Sequence, residues 1–268
     1  MREAVNPPND SDPARLTDSH CHLTFEQLSN DIDGLMDRAR RAGISRLLTV
    51  GQGLEDSQAA IELVQRFPEV RAAIGFGPHG ADGVEESDFA KLAELATAPE
   101  VLAIGEAGLD YYYEHSDRDV QRSVFSRQVE LAAEVARPLI IHCREAWDDC
   151  LDILDKAPAC PAGVFHCYTG PSELVQSLLD RGFYISFAGM VTFKNADACR
   201  DATRVVPLDR LLIETDAPYL SPEPKRNIRP NEPALLIHTA NFIANLLDLP
   251  LSRLAQITSD NASRLFNL

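Results

Sequence analysis

Short apolar runs alternate with longer stretches of helical periodicity along this chain, and few architectures accept that rhythm. The runs fall at Leu16–His22, Ser45–Val50, Arg71–Phe76, Val101–Glu106, Pro138–Cys143, Gly163–Cys167, Phe183–Phe187 and Arg210–Thr215. Several, such as "RLLTV", "PLIIHC" and "RLLIET", lack the polar alternation of a sheet with one wet face. Near-continuous apolar strands belong to parallel sheets covered on both faces. Between them, "DIDGLMDRARRAG" puts Ile32, Leu35, Met36 and Ala39 on one helical face and stops at Gly43. "EDSQAAIELVQRF" ends before Pro68, "DRDVQRSVFSRQVELAAEVA" before Pro138 and "SELVQSLLDRG" at Gly182. After the eighth strand come "NEPALLIHTANFIANLLDL" and a last segment read as two short helices hinged near Ser259. Eight such βα units predict a closed (β/α)8 TIM-like barrel of the α/β class, a single domain over residues 16–268. Residues 1–15 read as a disordered or loosely ordered polar lead-in.

The length of 268 residues suits that barrel, and 45% hydrophobic residues supply its core. No apolar run approaches the roughly 20 residues that span a bilayer, so no membrane is expected. The start has no apolar leader, and the 6 cysteines form no C-x-x-C pair. Reduced thiols and a cytoplasmic location follow as expectations. The net charge of -16 argues against a protein that wraps duplex DNA through a broad basic face. It leaves room for an enzyme that grips one or two phosphates.

Possible metal ligands recur where strands end. His20 and His22 close the first run with an i, i+2 spacing, which in a strand points both rings to one side. Glu106 ends "VLAIGE", His142 ends "PLIIH", His166 ends "GVFH" and Asp216 closes "LLIETD". A parallel barrel gathers these ends at one rim, where such enzymes keep their chemistry. Each has a plainer alternative. Glu106 could cap a helix, His142 could bond a core carbonyl, and Asp216 before Ala-Pro could form a turn. Taken together, four imidazoles and two carboxylates suit two divalent ions such as Zn²⁺ or Mn²⁺, with a carboxylate between them able to bridge.

The stretches "DSHCHL", "IGEAGLDYYY", "PLIIHCREA", "GVFHCYTG", "LLIETDAPYL" and "ITSDNASRLF" resemble, in order, the motif series of the TatD family of metal-dependent deoxyribonucleases. The resemblance covers nearly the whole chain from about Leu16. It implies two divalent cations (Zn, Mn or Mg), one held by His20, His22 and Asp216, the other by His142 and His166, with Glu106 bridging. It implies a hydrolase acting on DNA, preferring single strands and working from a strand end, with no stable protein partner. Asp216 would then serve as general base to the attacking water, and Glu106 would be catalytic as the bridge. Arg144, His79 and Tyr219 are the candidate substrate contacts, Arg144 through its planar fork and Tyr219 by stacking on a base, as Tyr112 and Tyr113 could. A salt bridge to Glu145 or Asp148 is the alternative for Arg144. Lys194, Lys225, Arg226 and Arg229 could form a basic lip.

Two departures stand out from that series. "GFGPHG" carries Gly77 where the family often has the first histidine of Gly-x-His-Pro-His, leaving only His79. "KRNIRPNEP" offers both Asn227 and Asn231 for a family asparagine, and the following Glu-Pro favours Asn231. The same site could instead hydrolyse an ester, as in an aminoacyl-tRNA, or a small phosphodiester. A non-catalytic binding protein braced by metals is the reading from another class.

Overall fold

A computed structural model describes residues 15–157 and 159–268. The lead-in expected over residues 1–15 therefore lies, apart from Arg15, outside the described residues. Eight strands form one parallel sheet in sequential order: β1 (Leu16–Cys21), β2 (Ile44–Gln52), β3 (Val70–Gly75), β4 (Val101–Asp110), β5 (Leu139–Arg144), β6 (Gly163–Phe165), β7 (Tyr184–Phe187) and β8 (Leu211–Ile213). The sheet curls until its edges meet. At the carboxyl ends, Asp216 N donates to His20 O at 2.9 Å and His22 N to Ala217 O at 2.8 Å. Lower in the seam, side chains take over the pairing. Thr215 N donates to Asp18 Oδ1 at 2.9 Å, and Ser19 Oγ donates to Ile213 O at 3.0 Å.

Alternate strand residues face opposite sides and build two apolar layers. Leu48, Ala73, Ile140, Val164, Tyr184 and Leu212 fill the barrel, while neighbours such as Leu47, Ile74, Leu139, Phe165 and Ile213 pack outward. The outer layer meets helices α1 (Glu26–Ser29), α2 (Ile32–Arg41), α3 (Leu54–Arg66), α4 (Glu86–Leu95), α5 (Arg118–Glu134), α6 (Trp147–Lys156), α7 (Ser172–Asp180), α8 (Asp197–Val205), α9 (Leu236–Leu246) and α10 (Leu251–Phe266). On α2, Ile32, Leu35, Met36 and Ala39 form the buried stripe that their spacing predicts. Among the described residues, no single helix is long and apolar enough to cross a membrane.

The last segment corrects the sequence reading, because α10 is one unbroken helix and not two hinged at Ser259. The polar run "TSDN" resembles a break, but its side chains have partners. Thr258 Oγ1 donates back to Leu254 O, Ser259 Oγ donates to Arg15 O, and Asn261 Nδ2 donates to the carbonyls of Leu208 and Leu211. Ala262 and Phe266 of this helix join the inner apolar layer. Arg46, near the start of β2, reaches Ser263 Oγ at 2.7 Å. Helix α10 thus closes the amino-terminal end of the barrel, leaving the carboxyl ends as the open face.

Strand β4 also differs from expectation. It does not stop at Glu106 but runs to Asp110, with a register shift against β5 between Ile104 and Ala107. Gly105 and Gly108 make this possible, with φ of 134° and 145°. A Cβ at Gly105 would sit 2.5 Å from Ile140 O, and one at Gly108 would overlap His142 O. The bulge turns Glu106 into the barrel mid-strand and carries Asp110 to the rim.

Candidate metal centre

The open face holds a cavity of about 640 Å³. At its floor the fold brings His20, His22, Glu106, His142, His166 and Asp216 together. Ile140 and Val164 point into the barrel, so His142 and His166, two residues on, do the same. Asp216 has φ of 53°, a left-handed backbone held by its bond to His20 O. Asn231, fully buried, secures the same loop by donating from Nδ2 to Thr215 O at 2.9 Å and Tyr219 O at 2.6 Å. Asn227 is exposed, so Asn231 fills the structural role left open between the two.

Glu106 lies between two sets of nitrogens. Its Oε2 is 3.4 Å from His20 Nε2 and 3.6 Å from His22 Nε2. Its Oε1 is 2.9 Å from His142 Nδ1 and 3.2 Å from His166 Nε2. Asp216 Oδ1 completes the first set, 3.8 Å from His20 Nε2 and 3.6 Å from His22 Nε2. The helix-capping alternative for Glu106 is thereby removed, as is the core-carbonyl alternative for His142.

The far sides of three imidazoles fix where their protons sit. His22 Nδ1 donates to Val50 O at 3.0 Å, His142 Nε2 to Asp110 Oδ2 at 3.0 Å and His166 Nδ1 to Glu214 Oε1 at 3.2 Å. In the neutral rings, the nitrogens facing Glu106 then carry lone pairs. His20 differs: its Nδ1 is buried without a partner. Lone pairs and carboxylate oxygens thus crowd one small volume. Gln52 Nε2, 2.7 Å from Glu106 Oε2, supplies an amide donor there. Such a donor set fits divalent cations of intermediate hardness. Among the described residues, His20–Glu106–His166 and His20–His22–Asp216 are each close enough to share an ion, as are His79, Asp110 and His142 nearer the rim.

Titration behaviour agrees with a site that requires positive charge. Burial alone would raise the Glu106 carboxyl, yet His166, His142 and His20 hold it well below the usual range. Burial disfavours a charged His142, but Asp110 and Glu106 outweigh it and lift the ring to about 9. Burial likewise opposes a charged His166, and Glu106 and Glu214 overcome it. His20 goes the other way, pushed by burial and by His166 to about 3. In a metal-free site, protons on His142 and His166 stand in for cations.

Around the mouth, Arg144 forms neither ion pair offered as its alternative. Its guanidinium lies 4.0 Å from the Tyr112 ring centre and 4.7 Å from that of Tyr113. Both tyrosines and Tyr219 are about half exposed, and Tyr219 leans over His22 and Phe25. His79 Nε2 is 3.7 Å from Asp110 Oδ2, and the ring packs against Tyr113 and His115. Arg226, stacked on Phe193, and Arg229 line the cavity, whereas Lys194 and Lys225 do not. The sequence reading did not single out Gln52, Asp110 or Glu214. Asp110 and Glu214 sit inside the motifs "IGEAGLD" and "LLIETD", whereas Gln52 had no comparable sequence cue.

A sequence profile described as "TatD related DNase" matches residues 17–267. The chain belongs to the TatD family. Bacillus subtilis YabD, named an uncharacterized metal-dependent hydrolase, is 40% identical over 94% of this chain and 99% of its own. A Citrobacter rodentium relative named 3'-5' ssDNA/RNA exonuclease TatD is 38% identical, covering 94% of this chain and 98% of that one. The crystal structure of YJJV, a TatD homologue from Escherichia coli, superposes with a TM-score of 0.89 at 26% identity, over 95% of this chain and 99% of that one. This TatD-family chain is a metal-dependent hydrolase whose His, Glu and Asp clusters can bind metal.

Proposed function

We propose that this TatD-family hydrolase cleaves DNA phosphodiester bonds exonucleolytically, preferring single strands, at a centre of two divalent cations. One oxygen of Glu106 faces His20 and His22 and the other faces His142 and His166; this observation carries the reading. His20, His22 and Asp216 would hold one cation and His142 and His166 the other, with Glu106 shared between them. Bound there, divalent cations acidify a water and neutralise charge on a phosphate. Asp216, whose side chain is 14% exposed, faces the cavity and takes the proton of the attacking water.

The mouth supports a nucleic-acid substrate. Among the described residues, Arg144, Arg226 and Arg229 line the cavity without an ion pair in a chain of net charge -16, leaving their guanidinium groups for phosphate oxygens. Tyr219 and Tyr113 line the cavity with half-exposed rings for unstacked bases, His79 borders the same space, and half-exposed Tyr112 lies against Tyr113. This basic group is small, which suits a strand end better than wrapped duplex. The exonuclease name of the Citrobacter relative is consistent with that substrate. Residues 16–268 act as the catalytic unit, in the cytoplasm, where free thiols stay reduced.

The test is a panel of single-stranded DNA, duplex DNA and aminoacyl-tRNA, assayed with and without chelator, for the parent and Glu106→Gln. Chelator-sensitive release of nucleotides from single-stranded DNA, lost in the variant together with bound metal, is expected. Preferred hydrolysis of aminoacyl-tRNA would replace the nuclease reading, and no turnover of any substrate would leave a metal-braced binding protein.

A further inference from the structure

We infer that Gln52 is a positioning residue for the Glu106 carboxylate, and that Gly77 exists in this chain to make room for it. The inference rests on the reading of Glu106 as the bridge between two cations. Gln52 is the last residue of β2, and its main-chain N–H is fixed by Asp56 Oδ2 at 2.8 Å. From that anchor its side chain lines the cavity and donates from Nε2 to Glu106 Oε2 at 2.7 Å, the oxygen that faces His20 and His22. An amide donor keeps this bond at every pH and adds no charge. It holds the carboxylate in one rotation, so that each oxygen keeps its own set of nitrogens.

Gly77 explains how Gln52 reaches so far. Its backbone, φ -64° and ψ 154°, is one that any residue adopts, so conformational freedom is not the reason for glycine. Space is. A Cβ at position 77 would lie 3.3 Å from Gln52 Cδ and 3.5 Å from its Cγ and Oε1. The approach to Cδ is tighter than ordinary packing, so a side chain at 77 presses on the Gln52 amide and requires it to shift by a few tenths of an ångström. The missing side chain at 77 and the extended one at 52 are therefore two halves of one arrangement.

Titration of metal-free protein with Mn²⁺, followed by the electron spin resonance of the free ion, tests this without a substrate. Gln52→Met keeps volume and removes the donor, and it should weaken Mn²⁺ binding about tenfold or more. Gly77→Val should weaken it similarly by pushing Gln52 aside. Once the side chain is gone, position 77 should cease to matter, so Gln52→Ala and Gln52→Ala/Gly77→Val should agree within about twofold. Melting temperatures of the metal-free variants check folding. If Gly77→Val does not fold, Gly77→Ala replaces it, since Cβ alone makes the contact. Parental affinity in Gln52→Met, or an equal penalty from Gly77→Val in both backgrounds, overturns the inference. Glu106→Gln run alongside separates the two claims. If it binds Mn²⁺ like the parent, the two-cation reading fails; if it alone loses Mn²⁺, only the role of Gln52 fails.

Discussion

Replacing Asn231 by Ala should both destabilise the protein and impair turnover, whereas Asn227→Ala should do neither. Asn231 is fully buried and donates to two carbonyls, those of Thr215 and Tyr219, on either side of Asp216. Its Oδ1 also accepts from Glu232 N at 2.9 Å. Truncation leaves two carbonyls and one N–H without that partner. Stranding a buried polar group costs about 1–3 kcal/mol, and partial rescue by water or local movement is usual. A total of about 3 kcal/mol is reasonable, equivalent to a fall of about 1 M in the urea midpoint for a slope near 3 kcal/mol/M. The Asp216 backbone, at φ 53°, depends on the same bonds, so the variant should also lose turnover on single-stranded DNA at temperatures where it remains folded. Urea unfolding followed by circular dichroism and initial rates at 25 °C make the comparison. A midpoint for Asn231→Ala within about 0.2 M of the parent, or equal losses in Asn227→Ala, would refute the reasoning.

Asp110→Asn should lower divalent-metal affinity about 10–100-fold, because the carboxylate that accepts the His142 Nε2 proton is lost; calorimetric titration measures it. Phe266→Ala should cost about 3–5 kcal/mol by opening a void at the closed end of the barrel, read from chemical denaturation, with the metal site intact. Among the free cysteines, exposed Cys160 should react first with a thiol reagent in the native state, and faster as pH rises, because the thiolate is the reactive form. Cys199, pushed by burial to about 12, should stay unmodified at pH 8, where about one molecule in ten thousand carries its thiolate; mass spectrometry of labelled peptides distinguishes the two.

The barrel was legible because its signal is local. Apolar runs such as "PLIIHC" and the α2 stripe are set by burial on both faces of a strand and one face of a helix. The convergence of His20, His22, His142, His166 and Asp216 was legible for a related reason: a parallel barrel brings every strand's carboxyl end to one rim. Features that depend on contact between distant segments were not. The bulge that moves Glu106 to mid-strand arises where Gly105 and Gly108 press against β5. The seam through Asp18 and Thr215 spans 197 positions. Gln52 reads as an ordinary strand-end amide until its bond to Glu106 is seen. The polar run near Ser259 suggested a hinge only because its partners, Arg15, Leu208 and Leu211, lie far away in sequence.

Anomalous X-ray diffraction from crystals grown with Mn²⁺ or Zn²⁺ tests the central claim most directly. The account predicts two peaks about 3.5–4 Å apart, each within bonding distance of a different Glu106 oxygen. A single peak, or two peaks with Glu106 bonded to neither, would contradict it.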